Sequence, residues 1–284
     1  MISGLVNNFV NLIIIKWIPF LTVAVSNQSP EERAPHLPSF ISLLHEVGLL
    51  PQNVYNFAEV WINVIFAFLT GLIFVLFSLR VYVKRKMIPD KGQNFLEILV
   101  EWMYNFVYSI FGDDAKRYTP FVGTLFFYIL MNNLWGLIPG GHSPSTNINT
   151  TAALAILVFL YAQYTGIRRL GIVGYLDHYA GEPRSILTWC LVPLLFPIHI
   201  IGELAKPFSL AVRLFGNVTG EDVLVAAFVS LGLVTLSFIH SPVGLPLNVP
   251  FIFLSMLLST VQALIFAVLA AVYLFLMLPH EEHN

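Results

Sequence analysis

Apolar runs long enough to cross a bilayer recur along this chain, separated by short polar or proline-bearing turns. Val60–Leu79 is the cleanest, with no charged residue, and Arg80, Lys84, Arg85 and Lys86 follow it at once. About 20 apolar residues span ~30 Å of hydrocarbon as a helix, so the pattern predicts a membrane span near 57–83. Further runs predict spans near 119–138, 151–170, 185–239 and 248–279, with Pro139–Thr150, Tyr175–Arg184 and His240–Pro250 as polar or turn-rich links. Between 91 and 115 the pattern changes. Leu96, Leu99, Trp102, Met103, Phe106, Val107 and Ile110 recur at helical spacing, while Glu97, Glu101 and Asn105 take another face. That pattern predicts an amphipathic helix at the membrane interface. Residues 1–54 read as an N-terminal helix followed by an external segment, and 55–284 as one membrane domain.

Composition agrees with the pattern. Of the 284 residues 57% are hydrophobic and 11% charged, against about 25% charged in soluble domains. The fold class is therefore an all-α integral membrane protein, with about five to six membrane helices. A straight helix over 185–239 would be ~80 Å long, so the last two helices are expected as a long, steeply tilted hairpin, or kinked at Pro193, Pro197 and Pro207. No basic face outside the loops suits nucleic acid. Cys190 is the only cysteine, which excludes an intrachain disulfide and a multi-cysteine metal site. The eight histidines are scattered with no His-x-x-x-His spacing, and no cofactor or metal is expected. No internal repeat is evident, which counts against a secondary transporter.

Charge distribution orients the chain. If the run at Val60 passes outward to inward, Arg80, Lys84, Arg85, Lys86, Lys91, Lys116, Arg117, Arg168, Arg169 and Arg184 share one side. Basic loops mark the cytoplasmic side, which puts the C-terminus in the cytoplasm.

Only five charges lie between Ser185 and Pro279: Glu203, Lys206, Arg213, Glu221 and Asp222. An arginine at membrane depth costs at least ~2.5 kcal/mol, so it is a functional-site candidate by default. On a wheel with Arg213 at 0°, Lys206 falls near ~20°, His199 and Asn217 near ~40°, Glu203 and Glu221 near ~80°, and Asp222 near ~180°. Ser255, Ser259 and Gln262 share a face of the last run. Carboxylates and histidine relay protons, whereas a guanidinium never releases its own. A stripe interrupted by Arg213 is thus an ion path with a fixed barrier, which a mobile partner carboxylate would bypass. The plainer readings are that Arg213 pairs with Glu203 or Glu221 to lock a bundle, that Lys206 snorkels to an interface, and that Gln262 is a satisfied core amide.

The run Leu210-Ala211-Val212-Arg213-Leu214-Phe215-Gly216-Asn217 resembles the signature of subunit a of the F-type ATP synthase. The likeness extends through Lys206-Pro207-Phe208-Ser209, Asn248-Val249-Pro250, Gln262-Ala263-Leu264-Ile265-Phe266 and Tyr273-Leu274, and upstream through Asn132–Gly140 and Ser143–Thr151. The resemblance implies a non-catalytic stator subunit in a bacterial inner membrane, packed against a ring of c subunits and contacting the b subunits of the peripheral stalk. Two aqueous half-channels would lead to the c carboxylate, with Arg213 between them. Proton-path residues would include Glu203, His199, Asn217, Glu221, Asp222, Gln262 and Ser255. Counting from Arg213 puts the family's relay acid at Asp222, whereas aligning its Gly-Glu pair takes Gly220 and Glu221, so both acids stand. Ser255 occupies a position where other members carry histidine or glutamate, and Asn147 one where some carry aspartate. The alternative reading is a self-contained ion-coupled channel or transporter, and a third a purely structural subunit of a respiratory complex.

Overall fold

The computed structural model describes residues 39–46, 51–83, 91–138, 140–180, 186–237 and 247–278. The expected N-terminal helix, most of the turn at 240–250 and the C-terminal tail lie outside the described residues. Within them the secondary structure is helical: α1 (Phe40–Glu46), α2 (Gln52–Val60), α3 (Ile62–Val83), α4 (Lys91–Phe111), α5 (Ala115–Trp135), α6 (Ile148–Ala180), α7 (Ile186–Ser237) and α8 (Val249–Phe275), with short 3₁₀ turns at Gly112–Asp114 and Pro144–Thr146. In lipid every backbone polar group must be satisfied within its own segment, and helices do so.

Among the described residues four helices are long and apolar enough to cross a membrane: Ile62–Arg80, Ile148–Asp177, Leu195–Gly232 and Val249–Phe275. The sequence pattern predicts five to six. One of the others lies before residue 39, outside the described residues. The fifth, α5, has the length but includes Lys116, Arg117, Asn132 and Asn133, which lower its hydropathy. A second difference concerns 175–180, read as loop. These residues continue α6 past a break at Gly171, whose φ of 73° and ψ of 170° leave the helical region. Glycine alone adopts that backbone without strain, which is why the apolar pattern changes there but helix resumes. The three prolines of α7 do not end it: the helix runs 52 residues through Pro193, Pro197 and Pro207.

The described residues form two compact units. One holds 61–135, 143–218 and 259–278. Its core joins Met103, Val107 and Phe111 of α4, Tyr118, Val122, Leu125, Phe126 and Ile129 of α5, Ala155, Val158 and Ala162 of α6, Leu210, Ala211, Leu214 and Val218 of α7, and Ala263, Phe266, Ala267, Ala270, Ala271 and Leu274 of α8. Lipid removes the hydrophobic drive for helix association, so close packing over small residues takes its place. The α8 alanines, at i, i+4, i+7 and i+8, are fully covered. Part of the amphipathic stripe of α4, Met103 and Val107, is engaged by this core, while Phe95, Ile98 and Trp102 stay exposed. α3 is bound chiefly through α5. Trp135 Nε1 donates to Thr70 Oγ1 at 2.9 Å, Tyr128 donates to the Ala67 carbonyl at 3.2 Å, and Trp135 meets Phe66 edge-on.

The other unit holds 39–60, 136–142 and 219–258. Phe40 N–H donates to the Gly140 carbonyl at 2.6 Å, and the Phe228 and Phe251 rings stack at 3.6 Å.

Candidate functional site

α7 buries Leu210, Leu214 and Val218 at i, i+4 and i+8, which turns the neighbouring residues outward. Arg213, Gly216 and Asn217 are exposed. Among the described residues Arg213 makes no ion pair, so the bundle-locking reading loses its partner. The Glu203 carboxylate is held instead by Lys206 Nζ, one turn along the helix. Lys206 also lies 5.4 Å from the centroid of the Tyr273 ring. Its carboxylate partner and an aromatic face keep it half-buried.

Asn217 joins the polar stripe of α7 to that of α8 in this unit. Its Nδ2 donates to Gln262 Oε1 at 2.6 Å. Gln262 is buried at 2% exposure, and its Nε2 is buried without a partner among the described residues. Gln262 is thus not a fully satisfied core amide, because one donor remains. Ser259, on the same α8 face, is buried, and its carbonyl lies 3.5 Å from Asn133 Nδ2. His199 places Nδ1 2.9 Å from the Tyr179 carbonyl.

Beyond a Cβ at Gly202 or Gly216 there is open space. With Ser209, also exposed, these give α7 a low ridge beside Arg213, where another helix can approach closely.

A second set of polar groups was not singled out residue by residue from the sequence, where the runs around them appear only as motifs. Both side-chain polar atoms of Asn132, Asn133 Oδ1, Ser143 Oγ and Ser145 Oγ are buried without a protein partner among the described residues. The 3₁₀ turn Pro144–Thr146 packs against α3, α5 and α6. Leaving a buried polar atom unpaired costs ~1–3 kcal/mol, so such a concentration calls for a physical reason. These residues carry no charge, so nothing in their one-dimensional pattern distinguishes them from ordinary loop and helix polar groups.

Glu221, Asp222 and Ser255 belong to the second unit. Glu221 is buried at 9% exposure and Ser255 at 2%, while Asp222 is half-buried. The wheel separates the two acids by ~100°, and their different burial follows from it.

These features define a polytopic helical membrane protein whose α7 exposes Arg213 one turn from the Asn217–Gln262 amide pair. Comparison with known sequences carries this further. Residues 64–275 match the family model described as ATP synthase A chain. The chain is 43% identical over 260 residues to the ATP synthase subunit a of Protochlamydia amoebophila, covering 92% of this chain and 95% of that one. It is 36% identical over 251 residues to the ATP synthase subunit a of Solidesulfovibrio magneticus, with 87% and 98% covered. The chain belongs to the ATP synthase A chain family.

Proposed function

We propose that this chain is the stator subunit a of a rotary ATP synthase. It would carry protons to and from a carboxylate on a c-subunit ring, and it holds no nucleotide site. The single observation that carries the reading is Arg213, exposed on α7 and without an ion pair among the described residues. A permanent charge at membrane depth needs a counter-charge, and an arriving partner carboxylate supplies one. Coulomb attraction at ~4 Å is worth roughly 4 kcal/mol at an effective dielectric of 20, enough to favour the deprotonated carboxylate beside the guanidinium. The same charge repels a hydronium, so protons cannot pass without the ring.

Two half-channels follow from the remaining groups. Glu203, His199 and Lys206 serve one. Glu221, Asp222 and Ser255 serve the other, and the buried amides and hydroxyls of Asn132, Asn133, Ser143 and Ser145 are candidate hydration sites within their own unit. Asn217 is one turn from the arginine and bonded to Gln262, and the Nε2 of Gln262, without a partner among the described residues, is a donor for water or for the ring carboxylate. The basic ends of α3 and α6 face the cytoplasm, as does the C-terminus, and the membrane is the bacterial inner membrane. The peripheral-stalk b subunits are further partners.

The test is replacement of Arg213. Arg213→Ala is expected to abolish coupled ATP synthesis while the complex still assembles. Synthesis at the wild-type rate would overturn the reading.

A further inference from the structure

In a straight helix Gln163 and Tyr175 would stand ~18 Å apart. Here the Tyr175 hydroxyl donates to Gln163 Oε1 at 2.6 Å. The break at Gly171 folds the chain back, so that Tyr175 lies over Gly166, with its Cδ2 3.3 Å from where a Cβ there would sit. Tyr179 donates to the same Gln163 oxygen at 3.1 Å, and the two phenol rings pack 4.9 Å apart. One amide oxygen thus clasps both tyrosines of the short returning segment.

That segment ends at Ala180. The last four carbonyls of a helix have no partner within it and carry the negative end of its dipole. One of them, that of Tyr179, lies 2.9 Å from His199 Nδ1. A carbonyl oxygen only accepts, so Nδ1 must carry the hydrogen. The neutral ring then has its lone pair on Nε2.

We propose that the returning segment is a positioning arm for His199, with Gln163 as the residue that holds the arm in place. The Nδ1–H stays on the Tyr179 carbonyl throughout. A proton from water adds to Nε2, giving the imidazolium, and leaves from the same nitrogen to water or to a carboxylate. The ring neither flips nor exchanges tautomers between turnovers. This inference rests on the assignment of His199 to the ion path.

The test uses the complete ATP synthase in inverted vesicles, with proton pumping normalised to assembled complex and to ATP hydrolysis. Gln163→Leu removes the shared acceptor and is expected to lower pumping roughly fivefold, the equivalent of one hydrogen bond of ~1 kcal/mol. Gln163→Glu keeps an acceptor oxygen and is expected to restore it. In a His199→Ala background Gln163→Leu should cause no further loss, because it acts only through the imidazole. The pair Tyr175→Phe and Tyr179→Phe, which keeps both rings, should behave as Gln163→Leu does and serves where that variant assembles poorly. Additive loss in the double variant, or wild-type pumping in Gln163→Leu while His199→Ala is impaired, would overturn the arm. Wild-type pumping in His199→Ala would instead overturn the assignment of His199 to the path.

Discussion

Arg213, Asn217 and Gln262 show how one helical turn can separate a charge from its support. Asn217 is one turn beyond Arg213 on α7, and its amide is fixed by Gln262 from α8 at 2.6 Å. Gln262→Leu leaves a hydrogen-bonding group of Asn217 unpaired and removes the buried Nε2 donor. The expected result is ~1–3 kcal/mol of lost local stability and a measurable fall in proton flow at unchanged ATP hydrolysis, read in vesicles. A double-mutant cycle with Asn217→Ala should show coupling of ~0.5 kcal/mol or more, since residues in contact are non-additive. Independent effects would sink the pairing. For the relay acid the two candidates differ in burial, with Glu221 the more enclosed. Glu221→Gln and Asp222→Asn, measured singly, distinguish them: the relay residue is the one whose amide slows proton conduction. If neither change does, both are misassigned.

At the scale of elements, length and small residues decide the arrangement. The apolar part of α7 covers 38 residues, which is ~57 Å of helix against ~30 Å of hydrocarbon. A straight helix of that length fits only when tilted ~60° from the membrane normal. The 19 apolar residues of α3 give ~29 Å and need no such tilt. The fold-back of α6 depends on Gly166, where an added Cβ meets Tyr175 and, at 3.4 Å, Met277 Sδ. Gly166→Leu should therefore displace the returning segment and lower the yield of assembled complex, whereas Gly92→Ala, with open space around it, should not. Equal yields would mean that the contact is not tight in the membrane. The Arg169–Asp114 pair ties the corner before α5 to α6 with two contacts of 2.8 and 2.9 Å, but its side chains are 30% and 44% exposed. Exposed pairs contribute only ~0–1 kcal/mol. Asp114→Asn is accordingly expected to leave assembly and synthesis within twofold of wild type, and a large loss in either would show that this pair matters more than its exposure suggests.

At the scale of the whole molecule, the proposed function needs a partner to complete the conducting path at Arg213. In the unit that holds Arg213, α7 exposes Phe208 and Val212 and α8 exposes Val261 and Ile265, residues suited to lipid or to an apolar partner helix. The chain reconstituted alone into vesicles should not conduct protons, whereas the chain with its c-ring should. Conduction by the isolated chain would favour the self-contained channel.

The sequence by itself determined the class, the family and the outlying charge. Apolar run length against bilayer thickness needs only one-dimensional information, and an arginine in such a run is conspicuous at any fold. The motif from Leu210 to Asn217 carried the family for the same reason, since its residues are contiguous. What the sequence did not determine was pairing. Lys206 read as a snorkelling lysine until the structure placed the Glu203 carboxylate and the Tyr273 ring beside it. Gln262 read as a satisfied amide, whereas its Nε2 has no partner among the described residues. The Tyr175–Gln163–Tyr179 clasp was invisible because a positive φ at Gly171 reverses the chain, and helical periodicity cannot register a reversal. The buried Asn132, Asn133, Ser143 and Ser145 carry no charge, so they are marked only by buried polar atoms that have no partner among the described residues. Tertiary structure decided these points because hydrogen bonding and burial depend on groups distant in sequence, whereas hydropathy does not.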